Sequence, residues 1–352
     1  MVDRKVKIGF VGVGGMGQCA HLKNYAAIES CEVVAIAEIR QGLGQKVAAR
    51  YGVPRVYPSH IEMLANEALD GIVASQPFTR HGQIIPELLK AGIPIFSEKP
   101  IAASVQAGEK IVEAVKASGT WQMVGYHKRS DPATMLARQE IERLKASGEL
   151  GRLTYVRIVM PPGDWVANGF SDLIKEEGPY PALEWDPPAA DMDKASYDRY
   201  VTFVNYYIHQ INLMRYLLGE DYHLTYAEPS GVLLVGSSLS GAACCIEMSP
   251  YTTTIDWQES AIVCFEKGYI QLELPAPLAS NRSGRVVFFR DPGQGEAPQT
   301  IVPQLPMVHA MRQQAQNFIN AIRGEALPPC QAGEALQDLR LARDYIRLLT
   351  GL

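Results

Sequence analysis

The sequence is poor in the features that would class it at once. It has no apolar run long enough to span a membrane, no internal repeat and no low-complexity tract. Its charge is nearly balanced, with a net of −5 over 352 residues. That leaves no basic footprint for nucleic acid or an anionic membrane, and neither is an expected partner. The six cysteines form no CxxC and no metal-like spacing. They read as buried thiols in a reducing compartment, and no metal is expected. The stretch MVDRKVKIGFVGVGG has a short apolar run that dissolves into glycines. It reads as neither a signal peptide nor a membrane span, and the expected location is cytoplasmic. Lys and Glu are also missing from a place that would normally hold them. At helical period, FVNYYIHQINLMRYLLG (203–219) is apolar nearly all round, with Asn205, His209, Asn212 and Tyr216 in one narrow stripe. A water-facing stripe would carry charge, so this one points to a buried helix with neutral polar groups kept for a purpose.

What is present is alternation. From KIGFVGVGGMGQCAHLKNYAAI onward, strand-like runs (EVVAIAEI, RVYP, DGIVAS, IPIFSEKP, WQMVGYH) alternate with helical ones (QKVAARYGV, HIEMLANEAL, GQIIPELLKAG, VQAGEKIVEAVKASG). This predicts parallel strands with crossover helices, and a ligand beyond the carboxyl ends of the strands. Later, LTYVRIVM, GVLLVGSSLSGAACCIEM, ESAIVCFEKGYIQLEL and GRVVFFRD read as strands joined by short turns, with EKG a hairpin turn. The expected fold class is α/β. An N-terminal Rossmann domain with a doubly wound parallel sheet (1–126) precedes a C-terminal α+β domain with a large open, mostly antiparallel sheet (127–352). The last helices are free to pack back on the first domain. A large sheet needs cover or a partner, so a homodimer or homotetramer through the C-terminal sheet is expected.

Gly12-Val13-Gly14-Gly15-Met16-Gly17 matches GxGxxG between a strand and a helix. The first glycine permits the tight turn, the second lets the backbone approach a pyrophosphate, and the third lets helix and strand pack. The helix start offers N–H groups and positive partial charge. Glu38 ends the second strand about 20 residues on, the spacing of a carboxylate that accepts from the adenosine ribose hydroxyls. Such a carboxylate repels a 2′-phosphate, which favours NAD over NADP, although Arg40 nearby acts the other way. In FSEKPIAAS (96–104), Pro100 biases Lys99 toward extended backbone, aiming its ammonium out of the strand end.

GxGxxG at 12–17, the acid ending the second strand, SQPFTRH at 75–81, SEKP at 97–100, GYHKRSDP at 125–132 and GELGRLTYV at 148–156 occur in this order. In this the chain resembles the Gfo/Idh/MocA oxidoreductases (glucose-fructose oxidoreductase and inositol dehydrogenase-like). The resemblance implies NAD(P) bound between two domains, and cyclic polyols, sugars or sugar nucleotides as substrates. It implies Lys99 near the reacting hydroxyl, with Glu98 beside it. Ser75, Gln76, Pro77, His81 and His127 would line the cofactor, and Tyr126, His127 and Lys128 the substrate. His209 corresponds to the histidine of the second-domain helix. Asparagine stands at 205 and 212, where the family often has aspartate. An amide orients an imidazole without adding charge, so His209 is expected to be a weaker base here.

The chemistry implied is hydride transfer from a carbinol carbon to nicotinamide, with the hydroxyl proton passing to His209 or Lys99. Residues 161–200, rich in Pro, Gly, Asp and aromatics, read either as a specificity segment, with Asp164 and Trp165 on substrate, or as a packed loop. The function expected is an NAD-dependent dehydrogenase of a sugar, sugar derivative or cyclic polyol. One alternative is a redox-neutral glycoside-cleaving enzyme that keeps NAD bound. Another is a non-catalytic dinucleotide- and sugar-sensing protein.

Overall fold

The computed structural model describes residues 4–249, 251–293 and 295–351. They form two compact units. The first comprises Met1–Tyr126, Asn168–Tyr197 and Gln314–Leu339; the second comprises His127–Ala167, Asp198–Gln313 and Arg340–Leu352.

In the first unit, strands β1 (Val6–Val11), β2 (Cys31–Ala37), β3 (Arg55–Tyr57), β4 (Gly71–Ala74), β5 (Ile95–Glu98) and β6 (Gln122–Gly125) make one parallel sheet. Its order is β3-β2-β1-β4-β5-β6, so the direction of winding reverses between β1 and β4. A ligand crevice opens at such a switch point. β4 and β5 are buried at every position, as a sheet covered on both faces requires. Phe318, from the late stretch of the chain, meets Tyr25, Phe96 and Trp121 edge to face and so closes the core over β1 and β5. The first helix departs from the regular pattern expected of it, because Gly17–Leu22 is wound as a π-helix.

The second unit holds an eight-stranded sheet. Its strands are β7 (Leu153–Val159), β8 (Tyr222–Ala227), β9 (Leu233–Ser238), β10 (Ala243–Glu247), β11 (Ser260–Phe265), β12 (Gly268–Glu273), β13 (Arg285–Arg290) and β14 (Gln299–Ile301). The order is β14-β13-β12-β11-β7-β10-β9-β8. Every pairing is antiparallel except β7 with β10. The mixed α/β class expected from the sequence is thus present. The edge strands β8 and β14 lie outside the runs picked out by pattern. β8 alternates imperfectly and β14 has three residues, both common at an edge. Helices Pro132–Ser147 and Ile208–Leu218 pack on the sheet.

The helix expected over 203–219 is two helices, Lys194–Tyr206 and Ile208–Leu218. Tyr207 stands between them at φ −94°, ψ −1°, at the margin of the right-handed helical region. Tertiary bonds decide this break. The Tyr206 hydroxyl accepts from the Gly163 N–H, while the Tyr207 hydroxyl donates to the Met248 carbonyl. Asn205 is exposed rather than buried, and His209 is half-buried. No helix among the described residues is long and apolar enough to cross a membrane.

Candidate functional site

The glycine loop leaves the carboxyl end of β1. Gly12 has φ +90°, and a Cβ there would lie 2.6 Å from the Ser75 carbonyl oxygen; one on Gly17 would lie 2.7 Å from the Gly12 carbonyl. These two glycines are required by the fold itself. Gly14 differs, because the nearest atom to a Cβ there is Arg40 Nη2 at 3.9 Å. Nothing in the protein needs a bare backbone at Gly14, which leaves close approach by a ligand as the use of it. Gly14, Gly15 and Met16 are half-exposed between buried neighbours, so the accessible part of the loop is its apex. A dinucleotide pyrophosphate fits this donor set: an open backbone turn at a helix start.

Glu38 is nine-tenths buried and fully engaged. It accepts from the Val13 N–H at 3.0 Å, the Arg40 N–H at 3.1 Å and Arg40 Nε at 2.9 Å. The carboxylate expected to serve the ribose therefore also braces the glycine loop and holds Arg40. Gln76 donates to the Val11 carbonyl at 3.0 Å, and Ser75 N–H to the same oxygen, fastening the end of β4 to the end of β1. Pro77 is exposed beside them.

His81 needs correction. It is fully buried, with Nδ1 3.1 Å from the Ile101 carbonyl and Nε2 3.1 Å from the Gln76 carbonyl. Burial lowers its pKa, opposed by the hydrogen bonds to those two carbonyls. It positions the loops after β4 and β5 and faces no open groove.

Lys99 follows β5 at the same sheet edge, half-buried, across a cis bond to Pro100. Sequence reading missed the partner of Glu98. His21 Nε2 lies 2.5 Å from Glu98 Oε1, and the Lys99 N–H donates to Oε2 at 3.1 Å. Burial pushes the Glu98 carboxyl up, but the His21 hydrogen bond and the charges of His21 and Lys99 outweigh it and hold the group below the usual carboxylate range. The signal for His21 was weak: one of two polar residues in the buried run QCAHL.

In the second unit the motif GYHKRSDP is an anchor. Lys128 forms a buried ion pair with Glu259, and Gln210 donates to the other oxygen of that carboxylate at 2.7 Å. Lys128 is 4% exposed, so the side chain expected on substrate is consumed by Glu259, a residue no sequence pattern singled out. Removing one partner of such a pair costs about 3–5 kcal/mol. Arg129 Nε donates to Asn212 Oδ1 at 2.6 Å, and its guanidinium lies 4.7 Å over the Tyr216 ring. Two of the four groups in the polar stripe are thereby structural. His209 is the third, and its ring meets His127 edge to face, with centroids 4.6 Å apart. Asp131 caps the helix Pro132–Ser147 through the Ala133 N–H at 2.8 Å and takes the Gly284 N–H at 2.9 Å. Burial, opposed by these bonds, raises its pKa to about 6. Tyr126, at the end of the first unit's opening stretch, is 2% exposed and so offers no surface to substrate.

Asp164 and Trp165 are held by their own loop and by later segments of the second unit. Asp164 Oδ1 takes the N–H groups of Val166 and Ala167, each at 3.0 Å, and the Trp165 carbonyl accepts from Leu278 N–H at 3.2 Å. The segment expected to act as one unit is divided. Residues 161–167 belong to the second unit and Asn168–Tyr197 to the first. No disulfide joins the cysteines, and five of the six are buried. Among the described residues no cluster of three or more His, Cys, Asp or Glu could hold a metal ion.

Residues 6–126 match the model of an oxidoreductase family, GFO_IDH_MocA, described by its NAD-binding Rossmann fold. The scyllo-inositol 2-dehydrogenase (NAD(+)) of Bacillus subtilis is 26% identical over 221 residues, 62% of this chain and 56% of that protein. The chain thus spans a little over half the length of that curated relative. Among solved structures, an oxidoreductase domain protein from Kribbella flavida aligns at TM-score 0.74 and 17% identity, covering 99% of this chain and 97% of its own. The WlbA dehydrogenase of Bordetella pertussis, in complex with NADH and UDP-GlcNAcA, aligns at TM-score 0.69 and 21% identity, covering 100% and 97%. These two share the fold. The order of motifs, the parallel sheet with its glycine loop and the family match lead to one assignment: residues 6–126 form the NAD-binding Rossmann domain of the Gfo/Idh/MocA oxidoreductases.

Proposed function

We propose that this protein is an NAD-dependent dehydrogenase that oxidises a secondary hydroxyl of a cyclic polyol, a sugar or a sugar derivative. The observation that carries the reading is the placing of Lys99 at the carboxyl end of β5, on the edge where the glycine loop leaves β1. A dinucleotide bound at that loop and a lysine able to meet a hydroxyl then share one edge of one sheet. The inositol dehydrogenase of Bacillus subtilis and the sugar-nucleotide enzyme of Bordetella pertussis support this substrate class. Bound NAD supplies the hydride acceptor. Lys99 donates a hydrogen bond to the reacting oxygen or takes its proton, and His209 is the candidate base that the second unit offers. Asn205, exposed, contributes polarity without charge. The face of the eight-stranded sheet away from its helices carries half-exposed residues on β9 and β11, a surface suited to self-association as a dimer or tetramer.

The test is to mix the purified chain with NAD and a panel of inositols, sugars and glycosides, following NADH and released aglycone together. NADH formed with a polyol or sugar is the expected result. Aglycone released without net NADH would replace this reading with the redox-neutral one. Dinucleotide binding with neither product would leave a sensor.

A further inference from the structure

Asn168–Tyr197 follows β7 in the chain, yet it is part of the first unit and is laid along the carboxyl edge of the parallel sheet. Its anchors are specific. The Gln18 side chain exchanges two hydrogen bonds with the Ile174 backbone, each at 3.1 Å, while also donating to the Val13 carbonyl at 2.8 Å inside the glycine loop. Asp186 accepts from the Gly82 N–H at 2.9 Å and from Gln83 at 3.2 Å, and its own N–H donates to the Thr79 carbonyl at 2.7 Å.

The charges of the stretch follow a pattern. The helices Gln41–Tyr51, His81–Leu89 and Val105–Ser118 all start at this edge, and none has an acidic residue in its own first turn. The stretch supplies one to each. The Glu176 carboxylate lies against Gly42, Asp186 takes the Gly82 N–H, and Asp191 accepts from Gln106 at 3.0 Å. Negative charge at these positive helix ends favours the docked position. At the helix after the glycine loop the arrangement changes. There the ring of Phe170 sits 3.6 Å from where a Cβ on Gly15 would stand, and Asp172 lies further along at Cys19. Beyond it, the Tyr180 ring lies 4.8 Å from the guanidinium of Arg40, the side chain that Glu38 holds.

We propose that Asn168–Tyr197 is the outer wall of the dinucleotide site, and that Phe170 and Tyr180 are cofactor-binding residues. This rests on the dinucleotide reading given above. Phe170 covers the pyrophosphate position at the loop apex and keeps water from it. Tyr180 and Arg40 form an aromatic–cation platform for the adenine ring, a flat π-surface of the kind both groups bind. With the acidic anchors in place, a bound dinucleotide leaves only when the stretch undocks. The wall therefore slows the exchange of NADH for NAD.

The experiment measures release of NADH from the full chain by displacement with excess NAD, in wild type, in Phe170→Ala/Tyr180→Ala and in the anchor variant Asp186→Ala. Both variants are expected to release NADH faster by about tenfold or more, the loss of one base–aromatic stack. Saturating NADH is also expected to slow amide exchange across 168–190 in the wild type, a readout that needs no substitution. Release rates within about twofold of wild type in both variants, with exchange unchanged by NADH, would overturn the wall while leaving the dinucleotide reading intact. Failure of the wild type to bind either NAD or NADP would overturn both.

Discussion

The imidazoles of His127 and His209 meet edge to face, 4.6 Å between centroids and 74° between planes. His127 opens the motif whose next two residues are tied down by Glu259 and Asn212, so the ring against His209 is itself held firmly. His209→Ala is expected to lower kcat by about 10²-fold or more, the range of a positioned acid or base. His127 serves His209 by packing. His127→Phe, which keeps a ring edge there, should hold kcat within a few fold, and His127→Ala should not. Steady-state kinetics of the three variants checks this; equal loss in Phe and Ala would give His127 a chemical role instead.

His21 and Glu98 give a prediction with a definite sign. The Glu98 carboxyl is held below its ordinary value, so its contribution to stability is present at neutral pH and lost as pH falls through that lowered pKa. His21→Leu removes the hydrogen bond and leaves a buried carboxylate. A loss of about 1–3 kcal/mol at pH 7 is expected, shrinking as the solution is acidified. Urea unfolding of both proteins at several pH values measures it, and a gap that does not narrow in acid contradicts the assignment.

Glu38 and Arg40 are expected to set the choice of cofactor. A 2′-phosphate would have to displace the carboxylate that now holds Arg40 at 2.9 Å. Glu38→Ser is expected to weaken NAD binding and strengthen NADP binding, since Arg40 is then available to a phosphate. It should also loosen the glycine loop, because the Val13 N–H loses its acceptor. Titration of both dinucleotides is the measurement, and a wild type that prefers NADP would sink the argument.

Asp131 acts in the opposite sense to Glu98. Its pKa is raised to about 6 by burial, so its ionisation opposes folding. The stability it allows is fully present below its ordinary value near 3.8 and is lost as pH rises through about 6. Asp131→Asn keeps the cap and removes the charge. The variant is expected to equal wild type in stability near pH 4 and to exceed it at pH 8, by an amount on the order of 2–3 kcal/mol. Calorimetry at the two values is the check.

Much of this was open to reading in the linear chain because it is local or periodic. The glycine spacing at 12–17 needs only a turn and a helix start. Uninterrupted apolar runs such as GIVA mark strands covered on both faces, and Pro132 after Asp131 marks a helix start. A histidine in a polar stripe without Lys or Glu drew notice to His209, and the family resemblance gave it its candidate role. The long segment 161–200 was recognised as unusual from its aromatics, but its division between two units carries no local signature.

The sequence by itself determined the two kinds of sheet, the glycine loop and the residue types able to move a proton. Those follow from period, from backbone restrictions at Gly and Pro, and from side-chain chemistry. Tertiary structure alone decided which polar groups are spent on each other. Glu259 takes Lys128 from 131 positions away, His21 holds Glu98, two carbonyls hold His81, and Arg129 absorbs half of the stripe that begins at Asn205. The physical reason is the cost of leaving charge or hydrogen-bonding groups unmatched away from water. That cost is met by whichever partner the fold brings near, and no pattern along the chain records who that partner is.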